Sequence, residues 1–252
     1  MADHAAGGPD VEIAGTFNAR DAGGWPTQGG AVMRTGVLYR AASLDRIDAA
    51  GRADLLRLGV RTVADLRSGS EIDRAGRFDP SDTGIAWRHL ESDFGPPNAD
   101  PERMAEVLVD DDPMAGLYVR MLDEGMPMFR EGLRLLAEDD STPLLIHCTS
   151  GKDRTGLFAL FVQLICGVDV ETAMLDYERS GAAMGGIHDD MEERYPEMSA
   201  AGVEKLRRMA DVDRRWVEGA LGSIGGVDGV ADWLTSIGVT LEHQEAIRGR
   251  FL

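Results

Sequence analysis

The chain has 252 residues and a formal charge of −18, because 44 acidic residues outnumber 26 basic ones. A chain of this length can bury a large core, and 43% hydrophobic with 28% charged residues argues against extended disorder. The acidic balance argues against nucleic acid and anionic membrane surfaces as bulk partners. We predict a single domain over residues 1–252, with residues 1–10 as a flexible tail.

The first half of the chain alternates predicted strands and helices. Short strands are predicted at residues 11–17, 37–40, 60–66 and 85–90. A helix is predicted over residues 44–58, with Ser43 as its N-cap and Gly59 as its stop. Residues 95–113 are acidic and contain proline, which is typical of a surface loop.

The second half contains one short apolar strand among helices. Apolar residues recur at helical spacing over residues 114–137, where Pro127 is expected to break or kink the helix. A strand at 144–146 precedes an apolar helix at 155–166, and the glycine-rich stretch 180–186 suggests a hinge. Further helices are predicted at 187–195, 199–221, 227–237 and 241–251. This order predicts an α/β fold with a mostly parallel sheet covered on both faces, followed by a helical C-terminal part.

No segment of the sequence indicates export, membrane insertion or a metal site. The first nine residues lack a basic start followed by an apolar stretch, and no apolar run reaches the ~20 residues that span a bilayer. Two cysteines are too few for a disulfide framework, and the five histidines lack ligand spacing, so no metal or cofactor is expected. We predict a cytoplasmic protein, with export without a cleaved signal as the alternative; the sequence indicates no oligomeric state.

Residues 146–156 join the apolar strand to the apolar helix and read Ile-His-Cys-Thr-Ser-Gly-Lys-Asp-Arg-Thr-Gly. A strand-to-helix turn directs backbone N–H groups and the positive end of the helix dipole into one concavity, which suits a phosphoryl group. Gly151 permits the tight turn. The same field favours a thiolate at Cys148, and Arg154 can bind two phosphate oxygens. Residues 149–152, with Thr155, are the other substrate-binding candidates.

Two cysteines have different predicted roles. A buried Cys148 with an unrelated surface arginine would not explain the polar residues between two apolar elements, so we predict that Cys148 is a nucleophile. Cys166 lies within an apolar run, which is typical of a buried small hydrophobic residue.

The stretch His-Cys-x-x-Gly-Lys-Asp-Arg-Thr-Gly from residue 147 resembles the signature of the atypical bacterial tyrosine/lipid phosphatases, within the protein tyrosine phosphatase superfamily. Residues 18–24, 37–41, 65–68, 176–180 and 225–237 also match this family. The resemblance implies a phosphatase-like fold, a phosphocysteine at Cys148 and a phosphate clamp at Arg154. It further implies that His147 orders the loop and lowers the thiol pKa, and that Thr155 assists departure of the thiolate.

The general acid is a separate question. Trp25 and Pro26 resemble the start of the mobile Trp-Pro-Asp loop of many tyrosine phosphatases, but a threonine follows them. Asp153 lies inside the loop between Cys148 and Arg154, called the phosphate loop below, and the resemblance implies that this aspartate is the acid. Its alternative role is a helix N-cap. Asp65, at the end of a predicted strand, and Asp93 are the reserve candidates.

Lys152 and Arg20 bear on the substrate. Lys152 could contact a second phosphate, as in lipid phosphatases of the superfamily, or be an ordinary solvated lysine. Arg20, with Asp21 and Arg67, could border the pocket; alternatively, the Arg20–Asp21 region holds the N-terminal loop against the phosphate loop.

Residues 187–221 form a candidate helical lid. Their apolar residues at helical spacing are usually explained by ordinary packing. In a mycobacterial member of the family, however, a helical pair in this region covers the active site, so we expect a mobile lid that shields the thiolate.

The favoured function is dephosphorylation of phosphotyrosine, and of phosphoserine or phosphothreonine as further substrates, on a phosphorylated protein. A phosphoinositide or other phospholipid phosphatase with weak protein activity is the main alternative. A phosphoprotein-binding module without activity is disfavoured because both Cys148 and Arg154 are present. A sulfurtransferase of the rhodanese type is disfavoured by the Gly-Lys-Asp-Arg-Thr-Gly continuation.

Overall fold

A computed structural model describes residues 7–92, 112–138, 140–194, 204, 207 and 211–252. Within these residues, five strands form one sheet in the order β1-β2-β5-β3-β4. The strands are β1 (Arg20–Asp21), β2 (Leu38–Ala41), β3 (Thr62–Asp65), β4 (Ala86–His89) and β5 (Leu144–His147). All neighbouring pairs are parallel except β1 with β2. The predicted α/β fold with a mostly parallel central sheet is therefore confirmed.

The central strand β5 positions the residues that follow it. Its last residue, His147, lies opposite Ala41 of β2 and Asp65 of β3, so all three strands end at the same edge of the sheet. Ligand sites of parallel α/β sheets form at the carboxyl ends of the strands. The segment after His147 consequently leaves the sheet at its centre, between two neighbouring strand ends.

Alternating strand residues contribute to two apolar cores, one on each face of the sheet. In β5, Leu144 and Ile146 pack in the larger core, whereas Leu145 packs in the smaller one. Every residue of this strand is buried. Burial on both faces explains why the strand is continuously apolar rather than alternating.

Ten α-helices surround the sheet in the described part of the chain. They are α1 (Ala49–Arg57), α2 (Gly69–Ala75), α3 (Pro113–Glu124), α4 (Met126–Ala137), α5 (Asp153–Ile165), α6 (Val170–Glu178), α7 (Met184–Arg194), α8 (Arg214–Ser223), α9 (Gly226–Ser236) and α10 (Leu241–Phe251). A 3₁₀ helix, Arg179–Ala183, joins α6 to α7. The predicted break within residues 114–137 is confirmed, because Gly125 separates α3 from α4 and Pro127 lies in the first turn of α4.

Two predicted elements near the N-terminus are wrong in whole or in part. Residues 11–17 form no strand; Gly15 has a φ of +85°, and its neighbourhood is a turn closed by the Thr16 N–H on the Ile13 carbonyl. Helix α1 begins five residues later than predicted, because Asp48 rather than Ser43 caps it. The Asp48 carboxylate accepts the N–H groups of residues 50 and 51, which satisfies donors of the first turn.

The stretch predicted as a hinge, residues 180–186, is helical and contains the junction between the 3₁₀ helix and α7. Packing accounts for the glycine at position 186, because a Cβ there would lie 2.9 Å from the ring of Phe17. Of the predicted lid, residues 187–194 belong to α7 and residues 214–221 to α8. Nearly all of its middle, as well as the reserve acid Asp93 and most of the predicted 95–113 loop, lies outside the described residues.

The C-terminal helices pack on the same face as α5. Residues of α8, α9 and α10 belong to the larger core together with the almost fully buried α5. Among the described residues, no helix is long and apolar enough to cross a membrane.

Candidate active site

The loop between β5 and α5 carries the candidate nucleophile. Cys148 directly follows β5 and is 1% exposed, and α5 begins at Asp153. Both cysteines are free thiols. Burial raises the pKa of Cys166 to about 12, which makes that thiol a poor nucleophile and leaves Cys148 as the chemically relevant cysteine.

The carbonyl groups of residues 149–151 are fixed from outside the loop. In chain order, they accept hydrogen bonds from the Ser43 N–H at 3.0 Å, the Asn18 side-chain amide at 3.0 Å and the Arg40 guanidinium at 2.7 Å. In a planar trans peptide, the carbonyl and the following N–H point in opposite directions. The amides of residues 150–152 therefore face away from these three donors, which is the arrangement that an anion-binding loop requires.

Gly151 is required at the tightest point of this loop. Its φ is +69°, and a Cβ at this position would lie 2.4 Å from the backbone oxygen of Ala41. Any side chain would strain the backbone and displace the loop from β2. Gly151 therefore acts through backbone shape, as the sequence predicts.

Arg154 follows Cys148 by six residues in the chain and is held by Glu71 of α2. Its Nη1 and Nη2 atoms each donate to one oxygen of Glu71 at 2.7 Å, and Nη1 also donates to the Leu66 carbonyl at 3.1 Å. Burial opposes the charge of Arg154, but Glu71 first, and then Cys148 and Asp153, raise its pKa above the ordinary value.

Glu71 is itself fixed by its own helix and by the phosphate loop. One carboxylate oxygen accepts the Ser68 N–H in a capping box, and the other accepts the hydroxyl of Thr149. Burial disfavours the ionised carboxylate, but Arg154 and these hydrogen bonds outweigh burial and lower the pKa of Glu71 to about 2. The Arg154–Glu71 pair is therefore charged at neutral pH.

Asp153 is not the N-cap of α5 but its first residue, and the helix has no side-chain cap. Its Oδ1 atom accepts the hydroxyl of Tyr118 at 2.5 Å and lies 2.9 Å from the Lys152 ammonium. The side chain is 21% exposed. An aspartate held in this way beside a phosphate loop can exchange a proton with a leaving group.

Lys152 is fully buried and not the solvated lysine of one sequence interpretation. Its ammonium contacts Asp153, donates to the Asp211 carbonyl at 2.7 Å and lies 4.9 Å from the centre of the Trp216 ring. These contacts direct Lys152 towards α8 and the residues before it.

His147 and Asp65 are buried behind the loop. His147 donates from Nδ1 to the Cys148 carbonyl at 3.2 Å, and its Nε2 lies 3.6 Å from Asp65. Burial, more than any neighbouring charge, lowers the pKa of His147 and keeps it neutral. Asp65 is engaged by Arg67 through two side-chain hydrogen bonds of 2.9 and 2.7 Å. These contacts suit ordering of the loop, and they disfavour Asp65 as a reserve acid.

Thr155 and Ser150 are also buried in this region. The hydroxyl of Thr155 has no hydrogen-bond partner among the described residues, so it is able to donate to a nearby group. Ser150 contributes to the loop through its backbone.

Arg20 does not reach the loop directly. It donates to Asp176 through Nε at 2.8 Å, and Asp176 also pairs with Arg40, which donates to the Gly151 carbonyl. Arg20, Arg40 and Asp176 are each 2% exposed or less. This geometry corrects the interpretation of Arg20 as a pocket-lining residue and favours the alternative that it supports the loop. Asp21 and Arg67 are likewise buried and bonded within the protein.

No motif of the sequence indicates Glu71 or Tyr118 as a site residue, nor Tyr177 as a neighbour of Tyr118. Glu71 lies in a short helix without apolar periodicity, although Ser68 followed by Glu71 is the pattern of a capping box. Tyr118 and Tyr177 occupy positions that are typical of core residues. Within the described residues, no cluster of three or more side chains could hold a metal ion.

Comparisons with known proteins show which family this chain resembles. A family model described as "Tyrosine phosphatase family" matches residues 11–252. The Triple specificity protein phosphatase PtpB of Mycobacterium tuberculosis is 28% identical over 284 residues, which cover 96% of this chain and 98% of that relative. A Tyrosine-protein phosphatase of Nostoc commune is 28% identical over 219 residues, covering 84% of this chain and 72% of the relative. The crystal structure of P. aeruginosa TpbA aligns with 21% identity and a TM-score of 0.36, covering 82% of this chain and 99% of that one.

Proposed function

This chain belongs to the tyrosine phosphatase family, and we propose that it hydrolyses phosphotyrosine through a phosphocysteine at Cys148. One observation carries the proposal: Cys148 and the Glu71-anchored Arg154 flank a loop in which the carbonyls of residues 149–151 are fixed from outside. This arrangement leaves amides and a guanidinium to bind the three non-bridging phosphate oxygens. Residues 11–252 act as one catalytic unit, in keeping with the single family model that spans them.

Arg154 can bind the phosphate without releasing Glu71. A guanidinium has five N–H donors, and Glu71 with Leu66 accounts for three of them. The remaining Nε–H and one Nη2–H lie side by side on the other edge of the group. That edge matches two oxygens of a phosphate, so Glu71 fixes the plane in which Arg154 meets its substrate.

In the first step, the Cys148 thiolate attacks phosphorus. The S–P bond forms while the P–O bond to the tyrosine oxygen breaks, and the carboxylic acid of Asp153 gives its proton to that oxygen. Because the transition state is loose and its charge lies on the non-bridging oxygens, the loop amides and Arg154 supply most of the stabilisation.

In the second step, water attacks the phosphocysteine. The O–P bond forms, the P–S bond breaks, and the Asp153 carboxylate accepts the proton of the attacking water. Inorganic phosphate leaves, and Cys148 returns as the thiolate. The Thr155 hydroxyl, which lacks another partner among the described residues, donates to the departing sulfur.

The favoured substrate is a phosphorylated protein rather than a phosphoinositide. A second phosphate on the substrate would need a nearby cation, and Lys152 is the loop's candidate. Its ammonium is already bonded to Asp153 and to the Asp211 carbonyl, so binding a second phosphate would cost these contacts. We place the reaction in the cytoplasm, where thiols such as Cys148 stay reduced.

A substrate panel tests the function. Wild type, Cys148→Ser and the matched control Cys166→Ser are compared on p-nitrophenyl phosphate, a phosphotyrosine peptide, a phosphoserine peptide and a phosphoinositide vesicle. We expect turnover of the first two substrates by wild type and Cys166→Ser, and at least a thousandfold loss in Cys148→Ser, on the order of the loss when a nucleophile is removed. Turnover by Cys148→Ser at the wild-type rate contradicts the proposal, and faster turnover of the phosphoinositide than of the peptide favours the lipid alternative.

A further inference from the structure

Two buried tyrosines form a chain of hydroxyl groups that ends on Asp153. The Tyr118 oxygen lies 2.5 Å from Asp153 Oδ1 and 2.8 Å from the Tyr177 oxygen. Tyr118 belongs to α3 and Tyr177 to α6, so the chain joins two separate helices to the first residue of α5. Their rings meet edge to face, with centroids 6.3 Å apart.

The direction of the hydrogen bonds follows from the number of hydrogens. A tyrosine hydroxyl has one hydrogen, and a carboxylate can only accept, so Tyr118 donates to Asp153. The hydrogen between the two tyrosines must then come from Tyr177. Such a directed chain strengthens each of its members, because every donor is polarised by the next.

Both fixed donors meet Asp153 at the same atom. Tyr118 donates to Oδ1, and the Lys152 ammonium lies 2.9 Å from Oδ1. When Asp153 is a carboxylic acid, the oxygen that accepts these hydrogen bonds is the carbonyl oxygen. The proton must then reside on Oδ2.

We propose that Tyr118 is a positioning residue, which holds Oδ1 of Asp153 so that Oδ2 carries the proton delivered to the leaving group. The proposal rests on the phosphatase function described above and extends it from the phosphate loop to α3. Tyr177 supports Tyr118 but does not contact Asp153 in the chain of hydrogen bonds.

The surroundings of Tyr118 suit a donor of fixed direction. Tyr118 is fully buried and packs against Trp216, whose Nε1–H donates to Asp112 at 2.8 Å. Asp112 is in turn the N-cap of α3. Burial first, and then the charge of Asp153, raises the pKa of Tyr118 well above its ordinary value, so the hydroxyl keeps its hydrogen at neutral pH.

The test compares leaving groups. The value of kcat/KM is measured for phenyl phosphate, which needs a proton on departure, and for p-nitrophenyl phosphate, which needs it far less. General acid catalysis supplies about 10²- to 10⁴-fold, so imperfect placement of the acid should cost about tenfold on phenyl phosphate alone. We expect this loss in Tyr118→Phe, with a change below about threefold on p-nitrophenyl phosphate.

Tyr177→Phe is the matched control, since it removes one buried hydroxyl from the same pair but leaves the Tyr118–Asp153 hydrogen bond. In Tyr177→Phe, the ratio of kcat/KM for phenyl phosphate to kcat/KM for p-nitrophenyl phosphate should change by less than about threefold. This change is small beside the about 10²- to 10⁴-fold that general acid catalysis supplies. A general structural weakness would affect both tyrosine variants and both substrates. Equal ratios in Tyr118→Phe and wild type would overturn the proposal.

Asp153→Asn provides the reference for the acid. We expect Tyr118→Phe to have no further effect on the ratio in the Asp153→Asn background, because the two residues act through one proton. If the double variant differed from Asp153→Asn by about a further tenfold in this ratio, Tyr118 would act independently of Asp153, and its positioning role would be overturned. If Tyr118→Phe does not fold, Lys152→Met, which removes the other donor to Oδ1, must lower the ratio of kcat/KM for phenyl phosphate to that for p-nitrophenyl phosphate in its place. An unchanged ratio again contradicts the proposal.

These results are separable from failure of the phosphatase function. If Asp153→Asn leaves the ratio unchanged while Cys148→Ser abolishes turnover, the phosphatase function stands and the role of Tyr118 is overturned. If Cys148→Ser retains turnover, the phosphocysteine itself is wrong, and the comparison of leaving groups no longer concerns this site.

Discussion

The carboxylate of Glu71 faces the guanidinium of Arg154 through two parallel hydrogen bonds of 2.7 Å. Glu71 is 83 residues earlier in the chain, in a helix that packs beside the phosphate loop. The same carboxylate accepts the hydroxyl of Thr149, the residue after Cys148. One glutamate therefore fixes both the residue that follows the nucleophile and the arginine that completes the loop.

Glu71→Gln should lower kcat/KM for p-nitrophenyl phosphate by about a hundredfold, the loss expected when a clamping group is misplaced by about 1 Å. Glutamine keeps the shape of the side chain but offers Arg154 one acceptor oxygen and an amide that repels it. Steady-state kinetics on the purified variant provide the measurement.

Glu124→Gln is the control for that substitution, because Glu124 also forms two hydrogen bonds of 2.9 Å with an arginine, but on the surface. Exposed pairs contribute little, so kcat/KM should stay within about twofold of wild type. An equal loss in both variants would show that Glu71 has no special role.

The Glu71–Arg154 pair should also make stability depend on pH. The folded pKa of Glu71, about 2, lies below its ordinary value of 4.5. The stabilisation is therefore fully present above pH 4.5 and is lost as the pH falls from 4.5 towards 2. Urea unfolding between these limits should show a smaller fall in the free energy of unfolding for Glu71→Gln than for wild type. If the free energy of unfolding fell equally with pH in both proteins, Glu71 would not be ion-paired in the folded state.

Asp176→Asn should destabilise the fold by about 3–5 kcal/mol, because it leaves the buried Arg20 and Arg40 without their shared carboxylate. Arg40 also holds the Gly151 carbonyl, so activity should fall even at temperatures where the variant remains folded. Urea unfolding gives the free energy, and kinetics below the transition give the activity.

The comparison for Asp176 is Glu171→Gln, which removes an exposed carboxylate from the same helix and from an ion pair with Arg214. Its free energy of unfolding should change by less than about 1 kcal/mol. A similar small change in Asp176→Asn would contradict the structural role of the Arg20–Asp176–Arg40 cluster.

Activity should be insensitive to metal chelators. The proposed chemistry uses Cys148, Arg154 and Asp153, and no described cluster of side chains has the composition of a metal site. Incubation with EDTA followed by desalting should leave kcat and KM for p-nitrophenyl phosphate unchanged. A loss of activity that added Mg²⁺ or Zn²⁺ restores would contradict a metal-free mechanism.

The order of strands and helices was predictable where each element follows a local rule. The continuously apolar β5 and the helix after it frame the loop at Cys148, and both were correctly predicted. Residues 11–17 have the composition of a strand, but the turn at Gly15 brings its backbone against residues 46 and 47 of another segment. A contact between distant segments decides the conformation there, and no local pattern contains it.

The same distinction applies to the candidate site. Cys148, Gly151 and Arg154 were identifiable because one turn supplies them in a fixed spacing. Glu71 and Tyr118 meet the loop only after the sheet has formed, and their sequence surroundings are those of an ordinary short helix and an ordinary apolar helix face. The two roles left open for Arg20 could not be separated from the sequence for a related reason: its buried partner, Asp176, is 156 residues away.

The central claim is tested most directly by trapping the covalent intermediate. Wild type is mixed with a phosphotyrosine peptide or p-nitrophenyl phosphate, quenched in acid within milliseconds, digested and analysed by mass spectrometry. We predict one phosphoryl group on the peptide that contains Cys148, and none on the peptide that contains Cys166. Substrate turnover with Cys148 unmodified at every time point, together with undiminished activity in Cys148→Ser, would contradict the account.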